Sequence, residues 1–307
     1  MNSTKLIIGS RGSDLALYQA NFIRDILIRE HGCDVEIKII HTAGDKIDNV
    51  AFDKMEGKGF FTKELEEALL NNDIDLAVHS LKDLMTTQPA GLKLGAAGYR
   101  ADRSEMLLIR KTSRVGVGVI PVREGGIIGT SSARRKAQLH FHNPSLVIND
   151  LRGNVPTRIR KLREGLYDAI LIATAGVKRL NLDVSDLDAI ELDPEVFLPA
   201  PAQGILGIQI RDNDPRVEAV IAKMGSHKEM LQAELERGLL KKFGSGCSLP
   251  LGVWSEFKDG KYRLRAVLGN QYKDEWIGLR SADISGTDIE KIVNQAYATL
   301  QGDTVCV

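Results

Sequence analysis

Cysteine is scarce in this chain: Cys33, Cys247 and Cys306 are three in 307 residues, scattered without disulfide or metal-ligand spacing. That excludes a disulfide-stapled scaffold. The six histidines form no zinc pattern either, so no metal site is expected. Charge of one sign is missing as well. Lys+Arg and Asp+Glu stand at 41 each, so neither nucleic acid nor a membrane surface is an expected partner. Long apolar runs are also absent, since stretches such as Ala169–Ala173 fall far short of the roughly 20 residues that span a bilayer. The first residues hold three apolar side chains before a Gly-Ser-Arg turn, fewer than the about 7–15 of a signal peptide. A reduced, cytoplasmic protein is expected, and with nothing to mark an exposed apolar face, a monomer.

What remains is an ordinary globular mix of 43% apolar and 27% charged residues, which excludes a disordered or collagen-like chain. The charge is unevenly spread. Between Arg134 and Arg163 stand Arg134, Arg135, Lys136, Arg152, Arg158, Arg160, Lys161 and Arg163, opposed only by Asp150. A neutral chain that gathers arginine in one segment holds an anion there.

Short apolar runs alternate with helical periodicity through the first two thirds. Strands are predicted over 5–9, 35–41, 74–78, 105–109, 127–129, 146–149, 169–173 and 205–210, and helices over 14–30, 62–71, 131–141 and 155–164. This alternation implies crossover units and largely parallel sheets. The pattern restarts near residue 100, so two similar α/β domains are expected, with a ligand cleft at their strand ends. After the linker 197–204 the strand 205–210 returns to the first sheet. From residue 226 the character changes: a helix over 228–243, strands over 250–257, 262–268 and 276–280, and a helix over 287–300 read as an α+β domain. The division is 1–99 with 200–222, then 100–199, then 223–307. No internal repeat of fixed period is read. The glycine-dotted stretch from Thr42 to Gly59 reads as a lid.

Three strand-to-helix turns carry arginine: Gly9-Ser10-Arg11-Gly12-Ser13, Gly129-Thr130-Ser131-Ser132-Ala133-Arg134-Arg135, and Arg152-Gly153-Asn154-Val155-Pro156-Thr157-Arg158. Each offers a capping side chain, free backbone N–H groups and a planar fork that matches carboxylates. The plain alternative is a routine cap with solvated arginines. Arg160 and Arg163 fall on an outer helix face. His79-Ser80-Leu81-Lys82-Asp83 follows a buried-type strand, where an α/β sheet presents its site. A carboxylate beside a lysine there can act as acid/base or cation stabiliser, or form only a local ion pair. Cys247 sits on the glycine loop Gly244-Ser245-Gly246, either as a reactive thiol or as a small buried hydrophobe. Gln203-Gly204 on the linker is a ligand contact or a hinge turn.

In order, these segments resemble the hydroxymethylbilane synthase (porphobilinogen deaminase) family. The resemblance also runs through Thr42-Ala43-Gly44-Asp45, Gly57-Lys58, Phe61-Thr62-Lys63-Glu64-Leu65-Glu66, Leu151-Arg152-Gly153-Asn154 and Ala173-Thr174-Ala175-Gly176, over about the first 255 residues. It implies two α/β domains like those of type II periplasmic binding proteins, plus a small α+β C-terminal domain. It implies stepwise joining of four porphobilinogen molecules, with release of four ammonia, on a dipyrromethane primer held by a thioether to Cys247. By the same resemblance Asp83 is the catalytic aspartate. Lys82, Thr130, Ser131, Ser132, Arg134, Arg135, Arg158, Gln203 and Gly204 are placed on the cofactor, and Arg11, Ser13, Gln19, Lys58 and Arg152 on the substrate. Each porphobilinogen adds two carboxylates, which several guanidiniums suit. The linker departs from the family's small-Val-Gly-Gln run by reading Ala200-Pro201-Ala202-Gln203. The competing reading is a polycarboxylate-binding protein of the same two-lobed fold without chemistry.

Overall fold

In the computed structural model, which describes residues 4–42, 62–244, 249–273 and 275–302, the chain builds two units, each around a mixed five-stranded sheet. The first unit takes the described residues up to 101 and Gly204–Leu231. Its elements are β1 (Lys5–Ser10), α1 (Asp14–His31), β2 (Asp34–Ile39), α2 (Lys63–Leu70), β3 (Leu76–Ser80) and β4 (Leu92–Gly98). The second unit, Asp102–Gln203 with the residues from Gln232 on, contributes β5 (Glu105–Ile109), β6 (Ile127–Gly129), α3 (Ala133–His142), β7 (Val147–Asn149), α4 (Val155–Arg163), β8 (Ala169–Ala173), α5 (Thr174–Arg179) and β9 (Asp188–Glu191). The chain then returns to the first unit with β10 (Leu206–Arg211) and α6 (Pro215–Ile221). Helix α7 (His227–Lys242) passes from the first unit into the second, where the meander β11 (Leu251–Lys258), β12 (Lys261–Tyr272) and β13 (Glu275–Gly286), and α8 (Ile289–Gln301) follow.

The two sheets share one strand order. The first runs β2-β1-β3-β10-β4 and the second β7-β6-β8-β5-β9. In each, the outer three strands are parallel and the fourth runs against both neighbours. The expectation of largely parallel sheets is corrected here: β10 and β5 enter from a distant part of the chain and need no crossover helix to reverse direction. The α/β class, the return of 205–210 to the first sheet and the small α+β portion are as expected. Elements not read from the sequence are β4, whose Gly-Ala-Ala-Gly end carries little apolar signal, α5, β9 and α6.

The pairing of β1 with β3 and of β6 with β8 is pegged by equivalent aspartates. Asp75, just before β3, accepts from the Ile7 N–H at 2.8 Å, and Asp168, just before β8, accepts from the Ile127 N–H at 2.8 Å. In return, the Asp75 and Asp168 N–H groups donate to the carbonyls of the same two isoleucines. Gly9 and Gly129, two residues further along each strand, lie tight against neighbouring side chains. A Cβ would lie 2.2 Å from the Ile74 side chain at Gly9 and 2.8 Å from Tyr167 at Gly129.

In the first unit, Leu6, Ile8, Ile23, Leu27, Ile208 and Val217 fill the face under α1 and α6, while Leu65, Leu69, Ile74 and Ala77 fill the face under α2. In the second, Leu107, Leu139 and Phe197 pack on one face of the sheet, and Leu108, Ile159, Leu162 and Ile170 on the other. The three-stranded sheet has its own core against α7 and α8, centred on Leu235, Leu239, Val253, Leu264 and Ile292. Among the described residues no helix is long and apolar enough to cross a membrane.

Candidate active site

In the first unit, β1 ends at Ser10 and the chain turns through Arg11 and Gly12 into α1. Ser13 caps that helix by accepting from the Ala16 N–H at 3.4 Å. Arg11 is half-buried, and its charge reaches His79 on β3. Gln19, on the buried face of α1, donates its amide to the Ser80 hydroxyl at 2.9 Å and so ties the helix to the end of β3. Beyond Ser80 the chain makes a single 3-10 turn, Leu81–Asp83. Leu81 is fully buried, Lys82 half-buried and Asp83 exposed. The sheet anchors the turn through the Leu81 N–H, which donates to the Ile205 carbonyl at 2.9 Å, and the Leu84 N–H closes it on the Leu81 carbonyl. Among the described residues the Asp83 carboxylate has no hydrogen bond or ion pair. An exposed carboxylate so placed is open to a cation or an N–H donor.

In the second unit, the turn after β6 places Thr130, buried, with its hydroxyl accepting from the Ser132 N–H at 3.3 Å. Ser131 exchanges hydrogen bonds with the Leu151 backbone, both at 3.1 Å. Ser132 caps α3 through the Arg135 N–H. The two arginines that follow Ala133 depart from the simple picture of arginines facing outward. Arg134 and Arg135 are 5% and 6% exposed, and each binds one oxygen of Glu105, at 2.5 Å and 2.6 Å. Arg134 also donates to the Leu198 carbonyl and Arg135 to the Leu171 carbonyl. Glu105 itself is fully buried at the start of β5. Burial pushes the Arg134 guanidinium down from its ordinary value, Glu105 opposes this, and neighbouring Arg135 adds to it. The cluster holds two positive charges against one negative, and the Arg135 Nε is buried without a hydrogen-bond partner.

Arg152 and Arg158 are half-buried at the start of α4, where Asn154 caps the helix and Arg158 donates to the Gly153 carbonyl at 2.7 Å. Gly153 needs its freedom, with φ at +110° and Thr157 occupying the space a Cβ would take. Arg160 and Arg163 are exposed and pair with Glu164 and Asp186, as an outer face requires. Gln203 is fully buried, with its amide donating to the Arg103 and Ser104 carbonyls at 3.0 and 3.3 Å. Gly204, which opens the next segment of the first unit, is buried with φ at +88°. Lys58, Cys247 and the lid expected beyond Thr42 lie outside the described residues. No cluster of His, Cys, Asp or Glu able to hold a metal ion occurs among the described residues.

Sequence reading missed Glu105 and Ser80. Glu105 opens an apolar strand, and only an acidic residue leading the run Met106-Leu107-Leu108-Ile109 hinted at a buried counter-ion. Ser80 lay inside the motif but showed no chemistry of its own.

Residues 6–219 match the family profile described as "Porphobilinogen deaminase, dipyromethane cofactor binding domain", and residues 230–297 match "Porphobilinogen deaminase, C-terminal domain". This chain belongs to the porphobilinogen deaminase family. Relatives of that name agree: one from Sulfurimonas denitrificans is 42% identical over 300 residues, covering 96% of this chain and 93% of its own. Another, from Gloeobacter violaceus, is 42% identical over 272 residues, covering 87% and 82%. Among solved structures, a periplasmic substrate-binding protein of an ABC transporter from Coxiella burnetii aligns with a TM-score of 0.46 and 15% identity, over 76% of this chain and 97% of its own.

Proposed function

We propose that this member of the porphobilinogen deaminase family is a hydroxymethylbilane synthase. It condenses four porphobilinogen molecules head to tail, releases four ammonia and frees the linear tetrapyrrole by hydrolysis. The observation that carries the reading is the match of nearly the whole chain to that family, with an aspartate kept open on the turn after β3. The residues present fit a dipyrromethane. The Arg134–Glu105–Arg135 cluster has an unbalanced positive charge and an unsatisfied Nε–H, which a carboxylate-bearing group answers. When bound, that group supplies the pyrrole carbon to which the first substrate is joined.

Asp83 acts on the substrate. As ammonia departs, positive charge develops on the aminomethyl carbon and the pyrrole nitrogen, and a fixed carboxylate stabilises it. After the carbon–carbon bond forms, the same carboxylate takes up the proton lost from the attacked ring carbon. Arg11, Ser13, Gln19, Lys58 and Arg152 bind the substrate carboxylates. Lys82, Thr130, Ser131, Ser132, Arg134, Arg135, Arg158, Gln203 and Gly204 hold the cofactor, and Cys247 carries it through sulfur. The domains divide as 1–99 with 200–222, 100–199, and 223–307. The protein works in the cytoplasm as a monomer, without nucleic acid or membrane.

Intact-protein mass tests this directly. The purified chain should exceed its sequence mass by two linked pyrrole units, and the Cys247→Ala variant should weigh what its sequence dictates. A wild-type chain at its bare sequence mass, inert toward porphobilinogen even after preincubation with it, overturns the reading.

A further inference from the structure

The Asp83 carboxylate takes no hydrogen bond or ion pair from any described residue, so the course of the turn that carries it governs where it stands. One side chain touches both arms of that turn. Gln209 lies on β10, the neighbour of β3, and is fully buried. Its Oε1 is 3.0 Å from the His79 Nε2, four residues before Asp83. Its Nε2 donates at 2.7 Å to the Gln88 Oε1, five residues after Asp83, and at 3.2 Å to Glu66 on α2. Gln88 in turn donates its own amide to the Met85 carbonyl at 2.6 Å, two residues from Asp83.

The direction of every bond is fixed. Both Gln209 N–H groups face acceptors, so its oxygen faces His79, which must donate from Nε2. Burial pushes His79 down to about 4, against the Gln209 hydrogen bond and aided by the Arg11 charge, so the ring is neutral at physiological pH. A neutral ring has one N–H, and this network assigns it.

We propose that Gln209 is a positioning residue for the reaction: it clamps the segment 79–88 from both sides and thereby holds Asp83 in place. The inference rests on the reading of Asp83 as the reacting carboxylate. It differs from packing in kind, because each of the three successive amide and imidazole contacts is directional, and the one between His79 and Gln209 is buried.

The test uses cofactor-loaded protein, checked by intact mass, with Gln209→Met and with Gln88→Met, which alters only a half-buried position and keeps the assay open if the core variant fails to fold. Each is made alone and combined with Asp83→Asn, and addition of the first porphobilinogen is followed by mass in single turnover. In otherwise wild-type protein, kcat should fall about tenfold or more, as loss of alignment does, while KM stays within about twofold. In the Asp83→Asn background the same substitutions should cost nothing further, since a clamp has no effect once the group it holds is gone. A full additional loss in that background, or unchanged kcat in both Gln209→Met and Gln88→Met, overturns the proposal alone. Normal turnover by Asp83→Asn by itself overturns the reading of Asp83 and the proposal with it.

Discussion

At the scale of single residues, exposure and burial sort the chemistry. Asp83 is exposed and takes no hydrogen bond or ion pair from a described residue, so its substitution should leave the fold untouched. Asp83→Asn is expected to melt within a degree or so of wild type yet lose about two to four orders of magnitude in turnover, the range for losing a positioned acid/base group; a thermal melt beside an ammonia-release assay checks both. Ala202 shows the opposite pattern. It is fully buried with φ at +61°, a left-handed backbone that costs an L side chain roughly 1–2 kcal/mol. The Glu236 carboxylate, itself buried, holds it there by accepting its N–H at 2.6 Å while receiving the Ser255 hydroxyl at 2.7 Å. Ala202→Gly should therefore raise stability by about 0.5–1 kcal/mol, after the extra freedom glycine gains in the unfolded chain. A shift of the urea midpoint to higher concentration is the expected reading.

At the scale of elements, the aspartate pegs decide which strands meet. Burial pulls the Asp168 carboxyl upward, but the Ser113 hydroxyl, the Ile127 N–H and Arg123 together hold it below the usual carboxylate value. A carboxyl lowered in the folded state stabilises above its unfolded value of about 4 and stops doing so as pH falls through the folded one. Asp168→Asn should cost about 2 kcal/mol at neutral pH, and the gap to wild type should narrow below about pH 4; urea titrations at several pH values measure it. The turns that carry arginine were open to reading because a capping residue, a glycine and a periodic apolar face are all local signals. Glu105 was not, because its partners Arg134 and Arg135 lie 29 and 30 residues away and only the paired strands bring them together. The likeness of the two sheets was hidden for a related reason. It survives as Ile-Ile-Gly before each first helix and as an aspartate before each third strand, too sparse for a fixed period. The antiparallel course of β10 escaped too, since strand direction is set by neighbours more than 100 residues distant.

At the scale of the whole molecule, the two units have separate sheets and separate cores, and a chain of more than one unit need not melt in a single two-state step. Calorimetry should show more heat than one two-state transition accounts for. Asp75→Asn should lower only the transition of the first unit and Asp168→Asn only that of the second; equal displacement of a single peak by both would contradict the separation. The neutral net charge fits a protein that meets its ligands through local arginines rather than a general field. The order of the strands also bears on synthesis. All five strands of the second sheet leave the ribosome by residue 191, whereas the first sheet waits for β10, which pairs with both β3 and β4. A nascent chain paused between those points carries one finished sheet and one with two unsatisfied edges, so the second sheet closes before the first, and the N-terminal strands are the natural client of chaperones during translation.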